Sequence, residues 1–521
     1  MGMFDGLIMF GHSIASFMTP TAIGYALLAS LIGLIIGALP GLTATMGVAL
    51  MTTMTLTLQP NDAILILICT YVGAIYGGSR SAILLNIPGT PASAASCLDG
   101  YALARQGLAG RAMGIATSGS VLGTWIGMFF LATLTPVLGE VALKFGAYEF
   151  FWLAVFGVVI SGNLTGDDPL KGWIAGFVGL FIATIGQEGL YAHDRFTFGY
   201  HDLSGGIALL PALVGAFGFA EVLTVMRDKP RDVVLNSFDA VVPRARDVLQ
   251  YWRTIIRSGV IGTGIGIIPG VGEDVAAWSS YAAARRASKE KELFGKGSVE
   301  GLMAAETGDN ACVPGSVIPV LTLAVPGSAP AAVLLAAMLI HGVQPGPLIM
   351  INSPQFVFDV VAMMLIASIG ILIYGLTLTN LLVKILQVPQ TLVMPVIFVL
   401  CVVGSFALAS RVFDIYVMLF FGIAGFLLRR LNYPMAPLVL GIVLGDLLDK
   451  NLRRGLVLSD GDLTPFFTRP ISVVLFLLIA ATVLLNIPVF HRAAVSLWKQ
   501  ASAPFRRTTR PDQPTSRRPH D

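Results

Sequence analysis

The chain has 521 residues, of which 55% are hydrophobic and only 12% are charged. A soluble domain carries about 25% charged residues, and it cannot bury such a surplus of apolar side chains. The composition therefore excludes an ordinary soluble protein and predicts an all-α polytopic membrane protein. A net charge of +3 is too small to indicate nucleic-acid binding. The four cysteines show no close pairing, so neither a disulfide framework nor a zinc site is predicted.

Uncharged runs along the chain set the number of possible membrane crossings. One helical crossing needs about 20 apolar residues. Runs 391–410 and 470–490 each fit one crossing, whereas runs 6–61 and 310–357 are too long for one and contain Pro-Gly pairs. We predict roughly 12 transmembrane helices, some of them re-entrant or broken.

Charge and hydropathy divide the chain into five segments. Residues 1–20 lack the basic start and cleavage site of a signal peptide and are predicted to form an interfacial segment. A first membrane repeat is predicted over 21–225, and a second repeat with C-terminal helices over 258–490. The basic linker 226–257 and the basic tail 491–521 are predicted to be cytoplasmic by the positive-inside rule, and the tail to be disordered.

One part of the chain conflicts with this rule. Two basic groups lie one apparent span apart: Arg429 and Arg430, and then Lys450, Arg453, Arg454 and Arg469. Both groups cannot be cytoplasmic if a single helix separates them. Either segment 433–449 is re-entrant or the second group is an exception, and the sequence leaves both possibilities open.

Two motifs occur twice in the chain, in the same order. The first, Gly33, Gly37, Pro40 and Gly41, returns 229 residues later as Gly262, Gly266, Pro269 and Gly270. The second, residues 85–92, returns 238 residues later as residues 323–330. The alternative explanation is that the motifs recur by chance, because glycine and proline are frequent in membrane helices. Two ordered motifs at nearly equal offsets favour an internal repeat instead.

The charges of corresponding loops indicate how the two halves are related. The first half has no basic residue at 59–62, where the second half has the strongly basic loop 285–300. After the second motif the pattern reverses, because Arg105 and Arg111 lie in the first half and no basic residue lies in 341–354. Corresponding loops are therefore predicted on opposite sides of the membrane, as in the inverted-topology repeats of secondary transporters.

In such proteins the ligand binds near the membrane midplane, where broken helices meet. Each Pro-Gly pair ends one helix, and the residues after it suit the start of another. Helix starts facing the centre from both halves would suit a carboxylate. The substrate-binding candidates lie at or beside these breaks: Thr43, Thr45, Arg80, Asn86, Gly89, Thr90, Pro91, Gly270, Gly272, Gly327 and Ser328.

Charged residues near the breaks allow two interpretations each. Arg80 is the only charge between Asp62 and Asp99, and it is either a substrate counter-ion or an arginine snorkelling to an interface. Five polar residues are candidates for binding a coupling cation, or else act as helix caps: Glu273, Asp274, Glu306, Asp309 and Asn310. No metal site and no cofactor are predicted, and segment 262–266 lacks the lysine of a nucleotide-binding loop.

The sequence resembles the large membrane subunits (TctA family) of the tripartite tricarboxylate transporters over about residues 20–490. The segments that carry the resemblance are 76–79, 83–92, 99–101, 268–272, 294–297, 321–328 and 342–347. Many relatives have small residues in place of Glu273-Asp274, and Ala-Asn-Asn is frequent in place of Gly308-Asp309-Asn310, so the substrate and the coupling ion do not follow from the resemblance.

The resemblance implies the permease of a secondary importer for small carboxylates of the tricarboxylate or dicarboxylate class. It implies a multi-pass protein of the bacterial inner membrane, driven by an H⁺ or Na⁺ gradient, and the basic tail predicts a cytoplasmic C-terminus. The implied partners are a small TctB-like membrane subunit and a TctC-like periplasmic solute-binding protein. An anion channel and a stand-alone carboxylate carrier are the alternatives. An enzyme is not predicted, because no acid/base or metal constellation is evident.

Overall fold

The computed structural model describes residues 3–164, 168–189, 192–227, 243, 245–378 and 390–486. The described chain is mainly helical, with one short antiparallel pair of strands, β1 (Gly186–Gln187) and β2 (Asp194–Arg195). The helices before the predicted linker are α1 (Met3–Phe17), α2 (Pro20–Ala38), α3 (Ala44–Met54), α4 (Pro60–Leu85), α5 (Ala94–Arg105), α6 (Ala109–Ala142), α7 (Ala147–Leu164), α8 (Pro169–Ala183), α9 (His201–Ser204), α10 (Leu209–Leu213) and α11 (Ala220–Arg227). A 3₁₀ turn (Pro91–Ser93) precedes α5, and a π-helical segment (Val214–Phe219) joins α10 to α11.

The second half repeats the pattern of long helices interrupted by short breaks. Its helices are α12 (Ala245–Gln250), α13 (Trp252–Ile267), α14 (Gly272–Ala287), α15 (Val299–Leu323), α16 (Ala329–Ile340), α17 (Ile349–Asn352), α18 (Pro354–Thr377), α19 (Gln390–Ala407), α20 (Val412–Arg430), α21 (Met435–Leu458), α22 (Thr464–Thr468) and α23 (Pro470–Asn486), with a 3₁₀ turn at Lys291–Leu293. The predicted tail 491–521 and residues 228–242 of the predicted linker lie outside the described residues.

Seven helices in the described part of the chain are long and apolar enough to cross a membrane: Pro20–Ala38, Pro60–Leu85, Ala109–Ala142, Ala147–Leu164, Leu209–Arg227, Pro354–Thr377 and Val412–Arg430. Shorter apolar helices accompany them, among them α3, α8 and α16. The prediction of an all-α membrane protein is therefore confirmed, whereas the count of roughly 12 spans stays a prediction.

Equivalent glycines form the closest helix contacts in each half. A β-carbon at Gly37 would meet the backbone of Ala74, which brings α2 directly against α4. The same contact recurs between α13 and α15, where a β-carbon at Gly266 would meet the backbone of Cys312. Small residues allow such close approach between membrane helices. The repeated motif thus specifies the same helix pair in both halves.

The helices break where the sequence predicts. Asn86 follows the last residue of α4 and Ala324 that of α15, both in the left-handed backbone region with φ of 55° and 54°. Helix α3 begins after Thr43, whose hydroxyl accepts the Met46 N–H at 3.2 Å. Helix α16 begins after Ser328, which accepts the Ala331 N–H at 3.4 Å. These two predicted helix starts are confirmed.

The helices that flank the repeated core are exchanged between the halves. The helix from α10 through α11 packs on α19 and α20, which come from the second half of the chain. Conversely, α21 packs on α7 and α8 of the first half. Glycines mediate both contacts, since a β-carbon at Gly215 would meet Met418 and one at Gly179 would meet Leu438.

Ion pairs engage three residues of the second basic group, Lys450, Arg453 and Arg469. Arg453 pairs with Glu188 at 2.7 Å and also with Asp449. Further pairs join Lys450 to Asp446, Arg195 to Asp449 and Arg469 to Glu149. Helix α21 is unbroken from Met435 to Leu458 and carries Lys450, Arg453 and Arg454. The side of the membrane on which this group lies stays a prediction.

Candidate functional site

A cluster around Glu273 joins the two halves in the interior. Tyr71, in the middle of α4, is fully buried, and its hydroxyl donates to the Glu273 carboxylate. The same hydroxyl lies 2.7 Å from Ser328 Oγ and 3.0 Å from Ser316 Oγ. Glu273 also interacts with the Ser328 hydroxyl. Four helices (α4, α14, α15 and α16) therefore meet at this Glu273 cluster.

A second cluster surrounds Glu306 on α15. Glu306 is fully buried, and it accepts hydrogen bonds from Ser96 of α5 at 2.5 Å and Ser120 of α6 at 3.0 Å. The Asn310 amide donates to Ser120 at 3.0 Å and to Asp309 at 2.7 Å. A continuous hydrogen-bonded network, here called the Glu306 cluster, therefore links α5, α6 and α15.

Two oxygens of the Glu306 cluster are available for further bonds. Asp309 Oδ2 and Asn310 Oδ1 are buried and have no hydrogen-bond partner within the described ranges. Asp309 interacts electrostatically with both Glu306 and Glu273. Buried acceptors without partners are costly. The pair thus offers a position for a bound cation or proton.

Arg80 lies inside the protein and not at an interface. It is fully buried, donates to Thr117 Oγ1 at 3.1 Å and to the Met113 carbonyl at 3.4 Å, and stacks over the Tyr76 ring at 4.4 Å. Arg80 interacts electrostatically with Glu306. No carboxylate of the described residues lies within salt-bridge distance of it. The snorkelling alternative is therefore wrong, because the guanidinium does not reach water.

The helix start at Thr90 differs from the equivalent start at Ser328. Thr90 precedes Pro91 and forms a capping box with Ser93, in which its buried Oγ1 faces the Ser93 N–H without a full hydrogen bond. Ser93 closes the turn, since it accepts the Thr90 N–H at 3.3 Å and donates to the Thr90 carbonyl at 2.8 Å. A β-carbon at Gly78 would contact the Thr90 hydroxyl. Ser328 thus makes a direct capping bond, whereas Thr90 caps its turn through the capping box with Ser93.

Most other predicted site residues lie at the breaks. Gly89 and Gly327 occupy equivalent places, with N–H groups donating to Gly78 and Ser316 carbonyls at 3.3 Å. Gly270 and Gly272 have positive φ and donate to the Pro326 and Gly327 carbonyls, both at 3.2 Å, so the two breaks of the second half touch. Thr45 is buried in the first turn of α3, Asp274 is half-buried in the first turn of α14, and Asn86 is an exposed helix end.

Tyr71 is a central residue that the sequence reasoning missed. It lies in an apolar helix and belongs to no charged motif. The repeat itself contains a signal, because the offset of 238 residues between the second motifs makes Tyr71 equivalent to Asp309. Tyr71 of the first half and Asp309 of the second half therefore each place a polar side chain in the centre of the protein.

Asp99 joins two of the segments that carry the family resemblance, 99–101 and 294–297. Its Oδ1 accepts the backbone N–H groups of Gly295, Gly297 and Ser298 at 2.8, 2.9 and 2.8 Å. Its Oδ2 accepts the Tyr281 hydroxyl at 2.9 Å. Successive backbone N–H groups in a turn form an anion-binding concavity. The α5 carboxylate thus fixes the loop between α14 and α15.

Within the described residues, no three His, Cys, Asp or Glu side chains are close enough together to hold a metal ion. The acidic residues are instead spread over the Glu273 and Glu306 clusters. Broken helices that carry charged groups into the centre of a helical membrane protein are typical of transport proteins.

The comparisons with known proteins identify the family. The model of the tripartite tricarboxylate transporter TctA family matches residues 23–440. The chain belongs to this family and is a subunit of a tripartite tricarboxylate transporter.

Two relatives come from Agrobacterium vitis, and both are uncharacterised. A 52.8 kDa protein in the TAR-I ttuC' 3' region is 37% identical over 456 residues, covering 87% of this chain and 91% of the relative. A protein in the TAR-II ttuC' 3' region is 36% identical over 211 residues, covering 40% of this chain and 87% of the relative. No solved structure matches the chain.

Proposed function

We propose that this chain is the large permease subunit of an importer that moves a small carboxylate across the bacterial inner membrane together with H⁺ or Na⁺. It would act with a small membrane subunit and a periplasmic solute-binding protein. The helix starts at Thr43, Thr90 and Ser328, together with Arg80 and the glycines beside the breaks, would form the substrate site. Family membership supports the transporter class, and the charge distribution in the centre supports coupling.

This proposal rests on one observation: the buried carboxyl groups in the centre outnumber the buried basic groups. Asp309 interacts with both Glu306 and Glu273, and the buried cation Arg80 interacts with Glu306. Burying further negative charge there is unfavourable unless a positive charge enters too. A carboxylate would therefore enter together with a cation or proton, for which the free oxygens of Asp309 and Asn310 are the proposed position.

Two contacts support a two-fold relation between the repeats. Asp99 on α5 binds the loop between α14 and α15. At the equivalent place in the other half, Thr55 after α3 lies 3.3 Å from His341 Nε2 at the end of α16. Each inter-helix loop thus meets the broken helix of the other half. Such reciprocal pairing is expected for halves related by a two-fold axis, and the charges of the loops favour the inverted form of that relation.

The inverted repeat predicts opposite accessibility for two equivalent loops. Single cysteines at Asn61 and Lys289, in a background without the native cysteines, should react with a membrane-impermeant maleimide from opposite sides of the inner membrane. Right-side-out and inside-out vesicles provide the two measurements, and a cysteine in the predicted cytoplasmic tail provides the reference side. Labelling of Asn61 and Lys289 from the same side would contradict the inversion.

Reconstitution tests the proposed function as a whole. Proteoliposomes containing this chain and the small subunit encoded with it should accumulate substrate only when a cation gradient and the liganded binding protein are both present. The substrate is the compound that the co-encoded binding protein carries when purified. Full-rate accumulation without the binding protein would indicate a stand-alone carrier. Non-saturating flux that ignores the cation gradient would indicate an anion channel.

A further inference from the structure

Oxygens from both halves of the chain meet in the Glu273 cluster at hydrogen-bonding distance. Tyr71 Oη lies beside Glu273 Oε1, 2.7 Å from Ser328 Oγ and 3.0 Å from Ser316 Oγ. Glu273 also forms a hydrogen bond with the Ser328 hydroxyl. Ser316 Oγ lies 2.8 Å from the Val313 carbonyl oxygen. These are five pairs of oxygens, and each pair needs a proton between its two members to be a hydrogen bond.

The hydroxyl groups of the cluster cannot supply all of these protons. Tyr71, Ser316 and Ser328 carry one proton each. If Glu273 is ionised, two of the five pairs have no proton, whereas a protonated carboxyl group contributes a fourth. Tyr71 then donates to one oxygen of Glu273, and the other oxygen donates to Ser328. Ser328 donates to Tyr71 and Ser316 to the Val313 carbonyl, so only the Tyr71–Ser316 pair lacks a proton.

The charges around Glu273 favour the same protonated state. The titratable groups that interact with it are Tyr71 of α4, Asp274 of α14, and Asp309 and Cys312 of α15, and α16 contains no titratable residue. In the part of the chain that the structure describes, no Lys, Arg or His lies within salt-bridge distance of Glu273. A buried carboxylate without a cation is strongly disfavoured, and neighbouring carboxyl groups increase the penalty. The neutral carboxyl group therefore fits this position.

We propose that Glu273 holds a proton that is coupled to substrate movement, and that this proton joins the two halves of the chain through Tyr71. This inference rests on the proposed function. It names H⁺ as one of the coupled cations, in addition to the cation position proposed at Asp309 and Asn310. Loss of the proton would leave an unpaired negative charge where α4, α14 and α16 meet, and the network would no longer be satisfied. Proton release would therefore favour separation of these helices.

Infrared difference spectroscopy of the purified full-length chain in detergent tests whether Glu273 is protonated. A protonated carboxyl group has a carbonyl band that an ionised one lacks, and this band shifts in D₂O. The spectrum of the parent minus that of Glu273→Gln should contain such a band at neutral pH. Tyr71→Phe should keep the band but move it, because the carbonyl oxygen loses its hydrogen-bond donor. Glu140→Gln is the matched control without this effect, since Glu140 is exposed near the end of α6.

Accumulation in proteoliposomes tests whether this proton is a coupled one. The vesicles contain the chain and its small subunit, and the compound that the co-encoded binding protein carries is supplied in labelled form on that protein. A pH difference of about one unit is imposed, with equal Na⁺ on both sides and the membrane potential held at zero. One coupled proton then accounts for about tenfold accumulation. Glu273→Gln should lower the final accumulation ratio by about this factor relative to the parent and to Glu140→Gln.

Two results would overturn this inference while leaving the proposed function intact. One is a carbonyl region that is the same in the parent and in Glu273→Gln, and the other is an equal accumulation ratio in these two proteins. If Glu273→Gln does not fold, Tyr71→Phe decides, because a band that does not move in this variant does not come from Glu273. Absence of accumulation by the parent would instead overturn the proposed function and the coupling role, while the infrared band would still show whether Glu273 is protonated.

Discussion

Alanine at Gly37 or at Gly266 is expected to destabilise the protein strongly, although a single methyl group is added. The new β-carbon would overlap the backbone of Ala74 or of Cys312, and backbone cannot move aside as a flexible side chain can. Overpacking a tight contact costs about 1–3 kcal/mol and occasionally more. Thermal unfolding of the purified protein, with the fraction of monodisperse protein after chromatography, measures the effect.

The same helices provide matched controls for this experiment. At Gly24 on α2 and Gly264 on α13, a β-carbon would meet no heavy atom within 4 Å. Gly24→Ala and Gly264→Ala should be neutral or slightly stabilising, because alanine is favoured over glycine in a helix by about 1 kcal/mol. Equal melting temperatures for Gly37→Ala and Gly24→Ala would show that the close contact between α2 and α4 is not needed.

The second large effect is expected for Asp99→Ala. The substitution leaves three backbone N–H groups and the Tyr281 hydroxyl without their acceptor. Hydrogen bonds to charged groups contribute about 1.5–3 kcal/mol each, and a buried donor left without a partner costs about 1–3 kcal/mol. We therefore expect a melting temperature well below that of the parent and faster proteolysis in the loop 288–298.

Asp446→Ala is the control for Asp99→Ala. Asp446 is exposed and pairs with Lys450 on the surface of α21, and such a pair contributes only about 0–1 kcal/mol. If both aspartate variants melt at the same temperature, Asp99 does not hold the loop between α14 and α15. Selective cleavage of that loop in Asp99→Ala would identify the local opening directly.

The helix breaks could be predicted because their causes are local. A proline removes a backbone donor, and a glycine accepts a positive φ, as Gly41 and Gly270 do at 93° and 73°. The helix starts at Thr43 and Ser328 follow from the same local rules. The repeat then aligned the halves, so that Gly37 and Gly266 could be matched before any contact was known.

The contacts of the candidate site could not be predicted, because they join distant parts of the chain. Tyr71 meets Glu273 across 202 residues and Ser328 across 257. Nothing in an apolar helix shows which of its polar groups will face a partner from the other half. The partners of Arg453 and Arg469 were hidden for the same reason, since a count of basic residues takes no account of carboxylates elsewhere in the chain.

The exchange of flanking helices has a consequence for biogenesis. Helices α10 and α11 are synthesised with the first half, yet they pack on α19 and α20, which leave the ribosome much later. Helices α7 and α8 likewise pack on α21, which is synthesised later. The first half therefore cannot complete its fold as it enters the bilayer. The helix faces that pack on the second half stay uncovered until the second half is inserted. Two halves expressed as separate polypeptides should be individually degraded and mutually protective, because each carries the other's missing helices.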